Sequence, residues 1–138
     1  MKAITLHQPW ASLIAVGAKK IETRSWAPPA DLVGLRVGIH AGKKLVTFGP
    51  NSDFDRMVAK YLGPNWEKNI PRGAVVATAI LRRWQQMTRE NTHVWPEGDE
   101  NLFGEYAVGR WMWHLADVHK LEIPVPARGY QGLWTWQR

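Results

Sequence analysis

The chain of 138 residues is long enough for one domain with a buried core, and its 45% apolar share excludes a protein that is disordered throughout. A formal net charge of +6 favours an anionic partner, without distinguishing a small anion or nucleotide from RNA. The absence of cysteine excludes disulfides and thiolate-bound zinc. No segment reaches the roughly 20 apolar residues of a membrane span. We therefore expect a single domain over 1–138, monomeric and cytoplasmic, with no membrane contact.

The first elements predicted along the chain are a strand and a short helix. The segment "KAITL" (2–6) is typical of a strand, and Pro9 suits the first helical position. Apolar residues at helical spacing predict about two turns, ended by Gly17. Gln8 then takes the cap position, where Ser, Thr, Asp or Asn is usual. We interpret this as a sign that the Gln8 side chain has another task.

The next strand is predicted from "KKIETRSW" (19–26), which concentrates charge. In a regular strand Glu22 and Arg24 share one face, and Ile21 and Thr23 share the other. The segment therefore places a carboxylate and a guanidinium side by side.

The remainder predicts four more strands, a second helix and a long loop. Strands are expected at 34–44, 72–84, 110–122 and 133–137. Ser52 is a suitable cap for a helix over 52–63. Residues 87–109 show no period, and so long a loop in a compact domain is usually functional. Together these elements predict an α+β fold, a small β-barrel of five or six strands with two or three flanking helices.

Familiar enzyme motifs are missing. A zinc deaminase needs cysteines, and neither a G-x-S-x-G elbow nor a phosphate-binding loop occurs. The histidines lack metal-ligand spacing, since His114 and His119 would point to opposite faces of a strand. We expect no metal and no cofactor.

What remains is lysine and carboxylate chemistry. A partly buried lysine beside a carboxylate has a perturbed pKa and can donate to an oxyanion or a leaving nitrogen. Lys19, Lys20, Glu22 and Arg24 offer such a group, and Glu105 in "FGEY" is a candidate acid from the long loop. The simpler interpretation is that these charges pair on an exposed strand, at well below about 1 kcal/mol per pair.

Aromatic residues add candidate binding surfaces. The chain has nine tryptophans, and an indole face can stack a nucleobase. The alternative is that most of them fill the core.

Six segments together resemble the ASCH domain family, which is related to the PUA RNA-binding fold. They are "LHQPWASLI", "GAKKIETRSW", "IHAGKK", "RGAVVATAIL", "FGEYAVGRWMWHL" and "PVPARGYQGLW". The chain is most similar to EOLA-like and to phage or bacterial single-domain members. The resemblance implies a PUA-like barrel with a cleft beside the first helix and the charged strand.

The resemblance also implies a chemistry. Some small bacterial members are amidohydrolases that remove acyl groups from N4-acylcytidine, with a lysine and a threonine on the motif strand and a glutamate from a later loop. Carried onto this chain, the lysine is Lys19 or its neighbour Lys20, and Glu22 stands where the family has threonine. The loop glutamate aligns with Glu105, with Glu100 as the alternative. A threonine nucleophile is therefore not expected here.

The resulting hypothesis is an amidohydrolase acting on N4-acylated cytosine compounds. Glu22 or Glu105 would be the general base, Lys19 or Lys20 would stabilise the oxyanion or protonate the leaving nitrogen, and Arg24 would orient the carboxylates. Candidate substrate-binding residues are Gln8, Trp10, Trp26, His40 and Tyr106.

Two other functions fit the same residues. A basic barrel with aromatic residues suits a module that binds RNA or a modified nucleotide without chemistry, although carboxylates in the groove would repel phosphate. A ribonuclease would need an acid–base pair near phosphate, for which Arg24, His40, Lys43 and Lys44 are available.

Overall fold

The computed structural model describes residues 1–137 and contains a six-stranded sheet with helices on its flanks. The strands are β1 (Lys2–Gln8), β2 (Ile21–Arg24), β3 (Arg36–Leu45), β4 (Ala74–Gln86), β5 (Trp111–Pro126) and β6 (Leu133–Thr135). The helices are α1 (Trp10–Ala15), α2 (Asp53–Leu62), α3 (Trp66–Asn69) and α4 (Gly98–Leu102), with 3₁₀ segments at Ala30–Leu32 and Arg89–Val94. The α+β prediction is confirmed. Within residues 1–137, no helix is long and apolar enough to cross a bilayer.

The sheet is mixed, with the strand order β2-β5-β4-β3-β1-β6. β1 and β3 pair in parallel, with Ile4 opposite Ile39, and the other pairs are antiparallel. Among the described residues, β2 and β6 each pair with one strand, so the ladder of backbone hydrogen bonds has two ends. The sheet curls until Arg24 on β2 donates from Nη2 to the carbonyl of Thr5 on β1, at 2.9 Å. A side chain, rather than a strand pair, thus bridges β2 and β1.

Helix α1 joins two parts of the core. Ile14 is completely buried in the main cluster inside the curled sheet, which also contains Trp113. Leu13, the preceding residue, is equally buried in a second cluster with Phe54 and Phe103. Because consecutive helical residues point about 100° apart, one short helix can pack against both clusters.

Gly17 ends α1, as predicted. Its φ of 82° lies in the left-handed region, where glycine has no Cβ penalty. The amides of Ala18 and Lys19 then donate to the carbonyl of Leu13, at 2.9 and 3.1 Å. This turn brings the chain into β2 and directs Lys19 inward.

Two predictions need correction. Residues 87–109 are not a structureless loop, because they contain a 3₁₀ segment and α4, both too short for a helical period to be visible. β5 also continues to Pro126, past residue 122 where the strand was predicted to end. Because β2 pairs with β5 only at 111–114, the far half of β5 has one edge without a partner strand among residues 1–137, and it tolerates prolines.

Ser52 caps α2 as predicted, since its Oγ accepts from the amide of Asp55 at 3.1 Å. Replacing Ser52 by alanine should lower the free energy of unfolding by about 1 kcal/mol, the usual cost of losing an N-cap. Urea denaturation measures this loss. Exposed Ser25, which makes no cap contact, is the control, and an equal loss for Ser25→Ala would contradict the assignment.

Candidate active site

One large cleft, of about 1480 Å³, opens beside β1 and β2. Thr5 and His7 on β1 line it, followed by Trp10 at the start of α1. Residues two apart on a strand lie about 6.6 Å apart on the same face, so Thr5 and His7 line the cleft one after the other in the direction of α1. Its other walls come from β2, from the end of β3, and from the segments that follow α4 and β5.

Lys19 lies behind the cleft and does not line it. Its side chain is completely buried, and Nζ donates to the carbonyls of Ile21 at 2.6 Å and Phe103 at 2.9 Å. The carboxylate of Glu22 lies 3.7 Å from the same nitrogen. Burial lowers the pKa of the Lys19 ammonium, while Glu22 and Glu100 act in the opposite direction. Lys20, by contrast, is exposed, so the lysine directed into the protein is Lys19.

Glu22 connects the buried lysine to the cleft. Its side chain is 11% exposed and lines the cleft, with Oε1 toward Lys19 and Oε2 accepting from Arg24 Nε at 2.9 Å. Oε1 also accepts from the amide of Thr23 at 3.2 Å. The carboxylate is therefore held on three sides, with little freedom to rotate.

Arg24 keeps donors free for a ligand. Nε binds Glu22 and one Nη2 hydrogen binds the Thr5 carbonyl. A guanidinium has five N–H donors, so three carry no hydrogen bond to residues 1–137. Since Arg24 also lines the cleft, these donors are available to an anionic group.

Thr23 lines the cleft together with Glu22 and Arg24, and it also contacts the segment after α4. Its Oγ accepts from the amide of Glu105 at 3.0 Å, and its carbonyl accepts from Arg110 Nη2 at 3.3 Å. Glu105 lines the cleft, but its carboxylate is 74% exposed and pairs with Arg110 at 3.3 Å. Glu105 therefore occupies the rim, in a more hydrated setting than Glu22.

Glu100, the alternative to Glu105, holds the start of β2. Its Oε1 accepts from the amide of Lys20 at 2.6 Å, while Oε2 is buried without a hydrogen-bond partner among the described residues. Burial raises the pKa of this carboxyl, against the effect of the backbone amides and the nearby lysines. Glu100 does not line the cleft, so we assign it to positioning the strand.

Of the five predicted substrate-binding residues, Trp10 and Trp26 line the cleft with partly exposed rings. Trp26 is held edge-on against Trp113, at 4.9 Å between ring centroids, and its carbonyl accepts from the Trp113 indole at 3.2 Å. Tyr106 is not a lining residue, and its hydroxyl is buried without a partner within residues 1–137. Burial raises the pKa of the Tyr106 hydroxyl.

Gln8 lies outside the cleft and is completely buried. Its Nε2 donates to Ser12 Oγ at 2.7 Å and to the Pro71 carbonyl at 2.6 Å, and its Oε1 accepts from the Ser12 amide at 3.0 Å. The prediction of a Gln8 cap is wrong, because Gln8 is the last residue of β1 and Pro9 takes the cap position of α1. The Gln8 side chain does have another task, which is to bind α1 to the segment before β4. It is not placed to read a base edge.

His40 lines the cleft, yet both ring nitrogens have partners in the protein. Nε2 lies 2.7 Å from the Ala127 carbonyl and must donate to it, so Nδ1 accepts from Thr5 Oγ at 3.1 Å in the neutral ring. Burial lowers the pKa of His40, which favours that neutral form. A Cβ on Gly129 would lie 2.5 Å from the ring, so glycine is required where the segment after β5 crosses it. His40 thus positions this segment.

The sequence analysis missed several residues of the cleft. One of them is His7, which lines the cleft with Lys44 and Arg24. Burial lowers the pKa of His7, and the charges of Lys44 and Arg24 act in the same direction, against that of Glu22. Other missed lining residues include Arg110, Phe48 and Phe54. The "HQPW" motif was a signal for His7, whereas a lone phenylalanine carries none. Among the described residues, no three His, Asp or Glu side chains cluster as metal ligands.

Replacing Lys19 by alanine should lower the free energy of unfolding by about 3 kcal/mol or more, because it leaves two carbonyls and a carboxylate without their cation. Chemical denaturation measures the loss. Lys20→Ala is the matched control one residue away and should change it by less than about 0.5 kcal/mol. Equal losses would contradict the assignment of Lys19 as the buried lysine.

Stability should also depend on pH through Glu100. Burial raises the folded-state pKa of Glu100 above the ordinary 4.5, so the protonated carboxyl is favoured in the folded state. The stability that this protonated form contributes is fully present below pH 4.5 and is lost as the pH rises through the folded-state pKa. Glu100→Gln should therefore gain stability relative to the wild type between about pH 4 and about pH 7. Denaturation curves across this range test it, with the exposed Glu97→Gln as control. A constant difference across the range would contradict the prediction.

Comparisons with known proteins agree with this architecture. The family model for the ASCH domain matches residues 4–125. The ASCH protein of Zymomonas mobilis is similar at a TM-score of 0.57 and 18% identity, covering 99% of this chain and 87% of that one. A tyrosine-to-phenylalanine variant of the same protein gives 0.56 at 18% identity, covering 99% and 89%. A serine-to-alanine variant gives 0.59 at 18% identity, covering 99% and 87%.

The structural likeness, at this identity, concerns the fold alone. No curated protein matches the chain significantly. The closer resemblance to EOLA-like members stays a prediction. The α+β, PUA-like fold and the family match over nearly the whole chain lead to one conclusion: the chain belongs to the ASCH domain family.

Proposed function

We propose that the protein is an amidohydrolase that removes the acyl group from N4-acylated cytosine or cytidine. The observation that supports this most directly is the carboxylate of Glu22. It opens onto the cleft, with a buried lysine 3.7 Å behind it and a guanidinium 2.9 Å beside it. A fixed carboxylate next to free cationic donors is what water-mediated amide hydrolysis needs.

The roles of the charged residues change from those first expected. Lys19 is buried and Lys20 does not line the cleft, so we assign neither to direct contact with substrate. Lys19 instead holds Glu22 and maintains a positive charge behind it. Arg24, with three free N–H donors, takes the place of the lysine at the oxyanion. Glu105 is a rim residue whose pairing with Arg110 makes it a weaker candidate for the base.

The reaction then proceeds in two steps. Glu22 accepts a proton from water as the water oxygen bonds to the amide carbon, and the carbonyl electrons move to the oxygen, which Arg24 binds. The tetrahedral intermediate collapses, the C–N bond breaks, and the departing N4 takes the proton from Glu22. The products are the carboxylic acid and the free 4-amino pyrimidine. The ring conjugated to N4 helps the nitrogen to leave, so a covalent nucleophile is unnecessary.

The pyrimidine has one clear surface. Trp26 follows Arg24 by two residues, lines the cleft and is held edge-on by Trp113. A ring stacked there would place its exocyclic nitrogen toward Arg24 and Glu22. Stacking on an aromatic side chain is worth about 1–3 kcal/mol per base.

A second candidate function is a module that binds RNA or a modified nucleotide without chemistry. Lys43, Lys44 and Arg128 line the cleft and have no ion pair within residues 1–137. Unpaired cations beside an aromatic wall suit a phosphate-bearing ligand. Glu22 argues against this function, because it would lie in the path of the phosphates.

The test is release of cytidine from N4-acetylcytidine by purified protein. Glu22→Gln should lower kcat by roughly 10²–10⁴-fold, since it keeps the shape and removes the base. Arg24→Lys should lower it by roughly 10²-fold or more, because one ammonium cannot bind Glu22, Thr5 and an oxyanion together. Glu105→Gln should retain most activity.

Lys20→Ala is the control for a charge change near the site and should behave as the wild type. If the wild type releases no cytidine from N4-acetylcytidine, and hydrolyses neither the acylated base nor a longer-acyl analogue, the amidohydrolase assignment is wrong. Tight binding of the unhydrolysed nucleoside or of RNA would then favour the binding module.

A further inference from the structure

Beyond the charged centre, one end of the cleft is built from aromatic and aliphatic side chains. It begins at Phe103, whose carbonyl accepts from Lys19, and continues through Phe54, with 6.3 Å between the two ring centroids. Phe54 contacts Trp10 at 5.5 Å and Phe48 at 5.0 Å. An uninterrupted series of contacts thus leads from the lysine behind Glu22 to Phe48.

This apolar end has a rigid base and an open rim. Phe103 and Phe54 are 0% and 6% exposed, and they belong to a core cluster with Leu13 and Val58. At the rim, Phe48 is 64% exposed and Leu102 is 37% exposed, although both line the cleft. Large apolar side chains left open beside a polar centre are typical of a subsite that a ligand covers.

The residues around Glu22 differ in chemistry. Arg24 and Trp26 follow it along the chain and supply free donors and a flat ring. Phe103 is connected to it through Lys19, which donates to the Phe103 carbonyl and lies 3.7 Å from the Glu22 carboxylate, and the open apolar rim continues from Phe103. An N-acylated pyrimidine has the same division, with a planar polar ring on one side of the amide and a hydrocarbon chain on the other.

We propose that the apolar end, formed by Trp10, Phe48, Phe54, Leu102 and Phe103, is a subsite for the acyl chain, and that the preferred substrates carry acyl groups longer than acetyl. The proposal rests on the function proposed above. The single methyl of an acetyl group next to Glu22 would leave Phe48 and Leu102 uncovered. A chain of four to six carbons would extend from the amide along the aromatic wall and cover more of these side chains.

The experiment compares N4-acetyl-, N4-butyryl- and N4-hexanoylcytidine. Hydrolysis by the wild type gives kcat/KM for each, and calorimetry on Glu22→Gln gives the affinity without turnover. We expect kcat/KM and affinity to rise roughly tenfold from acetyl to butyryl, as expected when two methylenes are buried, and to rise further for hexanoyl.

Phe48→Ala and Leu102→Ala should remove most of this dependence of kcat/KM and affinity on chain length. Both side chains are partly exposed, so truncation should leave the fold intact, which circular dichroism checks. Ile123→Ala is the control, because it removes an apolar side chain that is 77% exposed and lies outside the cleft. This variant should have the same kcat/KM as the wild type for all three nucleosides.

The outcomes separate the two proposals. If all three nucleosides are hydrolysed at the same kcat/KM, or acetyl is preferred, the subsite is wrong and the amidohydrolase stands. If nothing is hydrolysed but hexanoylcytidine binds tighter through Phe48, the subsite stands and the amidohydrolase is wrong. If there is neither hydrolysis nor a dependence on chain length, both are wrong.

Discussion

The candidate site depends on one buried ammonium group. Lys19 is completely removed from solvent, and its Nζ binds the carbonyls of Ile21 and Phe103 with the carboxylate of Glu22 nearby. Desolvating a charge is costly unless its partners are well placed, so β2, the segment after α4 and Glu22 are all held in position around it. The buried Lys19 therefore fixes the position of Glu22 at the surface of the cleft.

The segment between β4 and β5 is attached to β2 by side chains rather than by strand pairing. Glu100 accepts from the Lys20 amide, Thr23 accepts from the Glu105 amide, and Lys19 donates to the Phe103 carbonyl. These bonds cross-link two segments about 80 residues apart in sequence. They give an irregular segment the fixed position that a cleft wall requires.

The core and the cleft share residues. Phe54 and Phe103 belong to the cluster that packs α1 against α2, and they also form the apolar end of the cleft. A wall made of core side chains is rigid because its packing is required for folding. The charged centre is rigid for a different reason, since Glu22 is held by Lys19, Arg24 and the Thr23 amide.

The sequence by itself determined what local patterns encode. Most strands and helices could be located from the hydrophobic period, from the Ser52 cap and from Gly17. The region of the site was indicated by the charged strand and its neighbouring aromatic residues. Only the tertiary structure decided which lysine is buried, because Lys19 and Lys20 are chemically identical and the turn after Gly17 selects between them. It also assigned Gln8 and His40 to structural hydrogen bonds and brought Phe48 and Phe54 to the cleft. Those contacts join residues far apart in sequence, and no local pattern records them.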